Sequence, residues 1–314
     1  MRIQKLIMGL VLMMLTVLTL DLTAAPPGAA AASDAEAVTP PAASSDTVAS
    51  SDTVASSDTV ASSDTAAAAV GPSVAAGPSF RGKAFDTCVA PSLDTMRRWQ
   101  RSQYGAVGVY YGGRGRACKS QPHLDRGWTR AVDRMGWAVL PVYVGSQSPC
   151  VNARNKKGYT IGRHPWSQGQ REGRDAARRA QAVGFRAGSP LYLDMEAYAY
   201  RKPACARTTL SFVRSWNREV RGHGYVPGFY SSTDSGVRHM EKARRSGVRD
   251  LPTVMWFARW RTRPHLYREP SLSADAWRPA RRIHQYAGNV RERHAGRTLV
   301  IDRNLVHAPV ARIG

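Results

Sequence analysis

Two carboxylates separated by one residue, Asp194 and Glu196 in the run Leu191-Tyr192-Leu193-Asp194-Met195-Glu196, are the residues best placed to do chemistry. On an extended strand, positions two apart project to the same side. Two acids held side by side repel as anions, and burial disfavours their charge further, so one should keep a proton near neutral pH. One acid beside one base or charge stabiliser is what glycosidic bond cleavage requires. Asp86, after Phe85, and Asp302, after Val300-Ile301, also close short apolar runs. Taken singly, each could be an exposed strand-end acid or a helix cap; together they point to one mouth. Tyr110, Tyr143, Tyr230, Trp256 and Tyr286 lie near the ends of similar runs, where rings either stack on sugars or fill the core. Other chemistries lack their residues: the sequence has no HExxH, GxSxG, Walker or CxxC pattern. No metal and no cofactor is expected.

The elements that must position these residues alternate. Apolar, β-rich runs predict strands at Ala84–Cys88, Ala106–Tyr111, Ala138–Val144, Leu191–Glu196, Pro227–Ser231, Thr253–Trp260, Arg282–Tyr286 and Leu299–Asp302. Helical periodicity falls between most of them, at Ser92–Arg101, Arg126–Met135, Gln170–Val183, Thr208–Arg221 and Ser235–Arg245. Strand–helix alternation predicts a parallel sheet. Eight strands in about 230 residues predict a closed α/β barrel of the (β/α)8 TIM type, whose active site lies at the C-terminal ends of the strands. The last two intervals fit less well: Arg261–Arg281 is rich in Pro and Arg, and Gly288–Arg297 is short and polar for a full helix.

What precedes the barrel reads as export and spacing. Arg2 and Lys5 lead into an apolar run from Leu6 to Leu20, followed by small residues, so residues 1–32 read as a signal peptide. The run is short for a bilayer span, and no stable membrane span is expected; an uncleaved anchor is the alternative. Residues 33–80 read as a low-complexity linker, in which Ser-Ser-Asp-Thr-Val-Ala repeats from Ser44 to Ala61 offer little to bury. Residues 81–314 form the single folded domain. The four cysteines, Cys88, Cys118, Cys150 and Cys205, suit an oxidising compartment. Three pairings are open; order along the chain favours Cys88 with Cys118 and Cys150 with Cys205.

The net charge is +22, and residues 81–314 hold 43 of the 45 Lys and Arg but only 16 of the 23 Asp and Glu. Such a surface suits anionic wall polymers, or it reflects Arg-rich codon usage. The segment Gly112-Gly113-Arg114-Gly115-Arg116 is Arg-Gly-like, but it follows the second strand, where a polar barrel loop belongs. Nucleic acid is not an expected partner.

The strings FDTC, VYYGG, LPVYVG, LYLDMEAY, PGFYSS, WFARW, IHQYAG and VIDRN, in that order, resemble the bacterial glycoside-hydrolase-like domain catalogued as domain of unknown function 1906. Its barrel is similar to the family 25 lysozymes, which cut peptidoglycan glycan. The resemblance covers about residues 84–306. It implies that Glu196 is the general acid, that Asp194 assists as base or stabiliser, and that Asp86 and Asp302 match the aspartates of strands one and eight. It also places Gln285 and Tyr286 in an aromatic-Gln-Tyr run at the substrate. The stretches Cys150–Pro165 and Arg261–Pro279 depart from the lysozymes. The expected function is an exported, muramidase-like hydrolase of cell-wall glycan, secreted and wall-associated. The rival reading is a glycan-binding module with a basic surface and no turnover. Oligomeric state is not encoded in any pattern found.

Overall fold

The computed structural model describes residues 77–314. The segment expected to be a signal peptide and most of the expected linker, up to residue 76, lie outside the described residues. Eight strands close a barrel in chain order: β1 (Ser79–Asp86), β2 (Tyr104–Gly112), β3 (Ala138–Tyr143), β4 (Pro190–Asp194), β5 (Val226–Ser232), β6 (Val254–Ala258), β7 (Arg282–His294) and β8 (Arg297–Pro309). The helices α1 (Leu93–Trp99), α2 (Arg126–Arg134), α3 (Pro165–Ala182), α4 (Pro203–Gly222) and α5 (Arg238–Arg245) intervene, the last after a π turn over Thr233–Val237. Their starts follow from local chemistry. The Ser92 hydroxyl accepts from the Thr95 N–H, the Asp125 carboxylate accepts from the Trp128 N–H at 2.7 Å, and α3 and α4 open on proline. No helix among the described residues is long and apolar enough to cross a membrane.

Side chains alternate along the strands. Ala84, Ala106, Val142, Tyr192, Val254, Trp256, Ile283 and Val306 fill the barrel interior, while Phe85, Val107, Tyr143, Leu193, Phe229 and Phe257 pack outward under the helices. Both faces are apolar because both are buried.

Two features differ from the sequence expectation. The sheet is not wholly parallel: β8 runs antiparallel to both β7 and β1. A tight turn at Ala295 and Gly296, both at positive φ, joins two 13-residue strands as a hairpin. The short polar interval has no room for a crossover helix. Also, β1 begins at Ser79, five residues before the expected strand start at Ala84, and pairs with β8 as far as Pro309. Between β6 and β7 there is no helix. That loop folds around the buried Arg282 guanidinium, which donates to the carbonyls of Leu266, Ser273 and Ala276. The cysteines form two disulfides, Cys88–Cys118 and Cys150–Cys205.

Candidate active site

Period two on the strands determines which polar groups reach the mouth. Asp86 shares the inward face with Ala84, Asp194 with Tyr192, Gln285 with Ile283, and Asp302 with Asn304 and Val306. Because β8 enters from the mouth, Asp302 stands directly opposite Asp86 in the antiparallel register. The four carboxyl groups Asp86, Asp194, Glu196 and Asp302 line one cleft of about 660 Å³ at the C-terminal ends of β1 to β4.

Asp86 is 2% exposed. Its Oδ1 accepts from the Tyr110 hydroxyl at 2.6 Å, and its Oδ2 accepts from Asn304 Nδ2 at 2.8 Å and Gln285 Nε2 at 3.1 Å. Burial raises its pKa and these three donors oppose the rise. Gln285 is a hub with all its capacity used. Its Oε1 accepts from the Tyr230 hydroxyl at 2.8 Å and Trp260 Nε1 at 2.9 Å, while Nε2 donates to Asp86 and, at 3.3 Å, to Asp302. Two donors on one side and two carboxyls on the other fix the amide orientation. Asn304 repeats the device one layer below: its Oδ1 accepts from Trp256 Nε1 at 2.9 Å. A bulge in β7 carries Asn289 at positive φ and aims its N–H at Asp302 Oδ1, 2.7 Å away. Burial, then the charge of Asp86, pushes the Asp302 carboxyl up to about 7.

Asp194 ends β4 and is 6% exposed, with no partner for its Oδ1. Burial and then the neighbouring Glu196 raise its pKa well above the carboxylate range, against the pull of Lys156. Glu196 lies two residues past the strand, its side chain 37% exposed. Gln147 holds this turn: its Nε2 donates to the Asp194 carbonyl at 2.9 Å, and its Oε1 accepts from the Glu196 N–H at 2.8 Å. Lys156, on a 3-10 turn over Arg154–Tyr159, brings its ammonium to 3.7 Å from Glu196 Oε1 and donates to the Gly115 carbonyl at 2.9 Å. A second depression of about 370 Å³ lies beyond Glu196, lined by Tyr230, Ser232, Asp234, Arg259 and Trp260 among others. Glu196 is the residue the two clefts share. Trp260 is 46% exposed, and its ring lies across Gly288, where a Cβ would clash with it.

The structure thus brings together Asp86, Asp194, Glu196, Asp302, Tyr110, Tyr230 and Gln285. Three residues expected to contact substrate are elsewhere. Tyr143 points outward, its hydroxyl donating to Asp175 on α3 at 2.9 Å and its ring packed near Trp216. Tyr286 follows inward-facing Gln285 and so faces out of the barrel, 6.0 Å from the His284 ring. Trp256 faces inward but is 1% exposed, and it holds Asn304 from beneath. Three residues of the site were not singled out from the sequence: Gln147, Lys156 and Asn304. Asn304 was legible, being two positions from Asp302; Gln147 and Lys156 sit in a loop whose path no periodicity reveals. Among the described residues, no group of three or more His, Cys, Asp or Glu is arranged to hold a metal.

Several comparisons bear on this arrangement. An uncharacterized protein of B. stearothermophilus is similar in structure, with TM-score 0.50 and 18% identity, over 71% of this chain and 95% of that one. The Mycobacterium tuberculosis Tat-secreted protein Rv2525c, in complex with L-tartrate, gives TM-score 0.49 and 14% identity over 72% and 96%. The Clostridium perfringens spore cortex lytic enzyme SleM gives 0.45 and 11% over 73% and 67%. At such identities the first of these speaks for the fold alone. No curated protein sequence matches. Residues 97–306 match the family described as Rv2525c-like, glycoside hydrolase-like domain, a span from α1 into β8 that includes Asp194, Glu196, Gln285 and Asp302 and begins after Asp86. The chain belongs to the Rv2525c-like family of glycoside hydrolase-like domains.

Proposed function

We propose that this domain is an exported hydrolase of cell-wall glycan, with Glu196 as general acid and Asp194 as its partner. The observation that carries the reading is the position of Glu196, the residue common to two clefts with the buried Asp194 beside it. A glycan lying through both clefts has a glycosidic oxygen at Glu196. Glu196 gives its proton to that oxygen, the bond to the anomeric carbon breaks with its electron pair passing to the oxygen, and positive charge develops on the ring. Asp194 faces that charge or orients the acetamido group of an N-acetylated sugar as internal nucleophile. Water then adds at the anomeric carbon and returns a proton to Glu196. Asp86 and Asp302, fixed by Gln285 and Asn304, hold the sugar hydroxyls, and Tyr110 and Tyr230 stay protonated as donors because burial, then the carboxylates, hold their pKa values up. Export is supported by the charge, apolar and small-residue order of residues 1–32 and by two disulfides.

The test is release of reducing ends from purified peptidoglycan. Wild type should release them, and Glu196→Gln should be slower by about 10² to 10⁴-fold. No release by wild type, or equal release by the variant, sinks the reading. A second reading is a binding module without turnover; the Lys156 ammonium beside Glu196 favours it, since it contacts the oxygen that hydrolysis needs free. In that case Glu196→Gln binds glycan as wild type does and neither cleaves it.

A further inference from the structure

The outer surface of α3 and α4 takes no part in either cleft, and its charge is of one sign. On α4, Arg207, Arg214, Arg218 and Arg221 recur at helical spacing and so share one face. On α3, Arg171, Arg174 and Arg178 do the same. Apart from half-buried Arg214, all are exposed. From Ala197 to Arg218 the chain has no Asp or Glu. The acids on these helices are already engaged. Glu172 turns inward and accepts from the Ser146 N–H at 2.7 Å, Asp175 accepts from Arg179 at 2.7 Å, and Glu219 accepts from Arg174 at 3.3 Å. Exposed Arg171, Arg207 and Arg218, with exposed Arg163 just before α3, are paired with no carboxylate among the described residues.

Packing makes the two stripes one surface. Gly169 and Gly173 of α3 lie against α4, where a Cβ would clash with the Phe212 carbonyl and with the Glu219 side chain, so the helix axes approach closely. Contacts cross the seam: Arg174 reaches Glu219, and the Arg214 guanidinium lies 5.8 Å from the centre of the Trp166 ring. The helices are 18 and 20 residues long, or about 27 and 30 Å, so the charge forms rows and not a point. Rows of unopposed cations attract a polyanion, and the planar fork of Arg matches a phosphate with two hydrogen bonds. The surface lacks what other anionic partners need. The exposed large hydrophobic residues among those described are Val89, Trp260 and Val300, none of them on α3 or α4, so nothing here enters a bilayer. Phe212 and Trp216 are buried and Trp166 is covered by Arg214, so no open ring is offered to a nucleic-acid base.

We propose that the outer surface of α3 and α4 binds a linear, base-free phosphodiester polymer, which lies along the Arg rows with Arg163, Arg171, Arg207 and Arg218 supplying the free charge. The domain is thereby held to a polymer while both clefts stay open. This binding is independent of whether the clefts cut glycan.

The test is calorimetry of the full chain with synthetic poly(glycerol phosphate) at a series of salt concentrations. One variant combines Arg163→Gln, Arg171→Gln, Arg207→Gln and Arg218→Gln. A control combines Arg81→Gln, Arg97→Gln, Arg101→Gln and Arg134→Gln, which removes the same charge from exposed residues on the side of β1, α1 and α2. The first variant should bind about thirtyfold more weakly than wild type, and the slope of log affinity against log salt should fall by about 3. The control should lose less than about threefold. Because the side chains are exposed, urea midpoints should match wild type; if the fourfold variant is less stable, Arg207→Gln with Arg218→Gln alone should still cost about fivefold. Equal losses in variant and control overturn the proposal in favour of diffuse net charge. Absence of binding by wild type, or unchanged affinity in the α3–α4 variants, also overturns it. Vesicles of phosphatidylcholine with phosphatidylglycerol, and oligodeoxythymidylate, are titrated in parallel. Tighter binding of either than of poly(glycerol phosphate), lost in the α3–α4 variant, overturns it in favour of a bilayer or of nucleic acid.

Discussion

On one side of Glu196 the loops after β2 and β3 place Arg116 and Lys156 in the larger cleft and are held by the two disulfides. On the other side, the ends of β5 and β6 offer the half-exposed Trp260 ring and Arg259, whose charge is consumed by Asp234 and Glu269. The difference concerns what each cation is for. The Glu269 side chain has no exposure at all, so its negative charge must be met from within the protein, and Arg259 is committed to it. Arg154 and Lys157, on the loop after β3, are exposed and are not paired with a carboxylate among the described residues, so no buried charge depends on them.

That contrast can be broken in four ways. The largest effect is expected from Arg259→Met, which leaves Glu269 buried without its partner. It should destabilise the fold by about 3–5 kcal/mol, measured by urea unfolding, whereas Lys157→Gln should change stability by less than about 0.5 kcal/mol. Comparable losses for the two would erase the distinction between a cation committed to a buried acid and an exposed one. Next is removal of the staple on the loop after β3. Cys150→Ser with Cys205→Ser should cost about 2–4 kcal/mol in the same assay and weaken glycan binding in the larger cleft, while leaving the Trp260 side intact. A smaller effect of opposite sign is expected from Asp194→Asn. The folded-state pKa of Asp194 is raised, so the stability lent by its protonated form is complete at low pH and is lost as pH climbs through that pKa. An amide does not titrate. The variant should therefore gain about 1–2 kcal/mol over wild type at pH 8, with the gain shrinking towards pH 4 while activity falls. Asp302, at about 7, adds to the same decline of wild-type stability as pH rises from about 4 to 7. A melting-temperature difference independent of pH would contradict this. The smallest is Trp260→Ala, which removes a stacking face worth about 1 kcal/mol. It should weaken glycan binding by about fivefold in calorimetry.

Much of the site was legible because a strand imposes period two. Asp86, Asp194, Asp302, Tyr110 and Tyr230 all occupy inward positions, in phase with Ala84, Tyr192 and Val306. The same rule, applied strictly, accounts for the expectations that failed. Tyr143 follows inward Val142 and Tyr286 follows inward Gln285, so both must face outward, whatever their nearness to a strand end. Trp256 has the correct parity but the wrong height: it lies one layer below the mouth, and height depends on the shear of the closed barrel. The direction of β8 was missed in a different manner. The polar interval Gly288–Arg297 showed that no helix was present, but alternation elsewhere in the chain argued for parallel strands, and the Ala295-Gly296 turn reversed the last one.

The sequence by itself determined the closed α/β barrel, the paired acids Asp194 and Glu196, and the concentration of positive charge in residues 81–314. These are properties of periodicity and composition, which survive in one dimension. Tertiary structure alone decided that Asp302 faces Asp86 across an antiparallel pair, that Gln147 clamps the turn carrying Glu196, and that Lys156 comes within 3.7 Å of Glu196 from a segment 40 residues earlier. Each of these depends on loop paths and on closure of the barrel, where contacts between distant residues are set by packing and have no local signature.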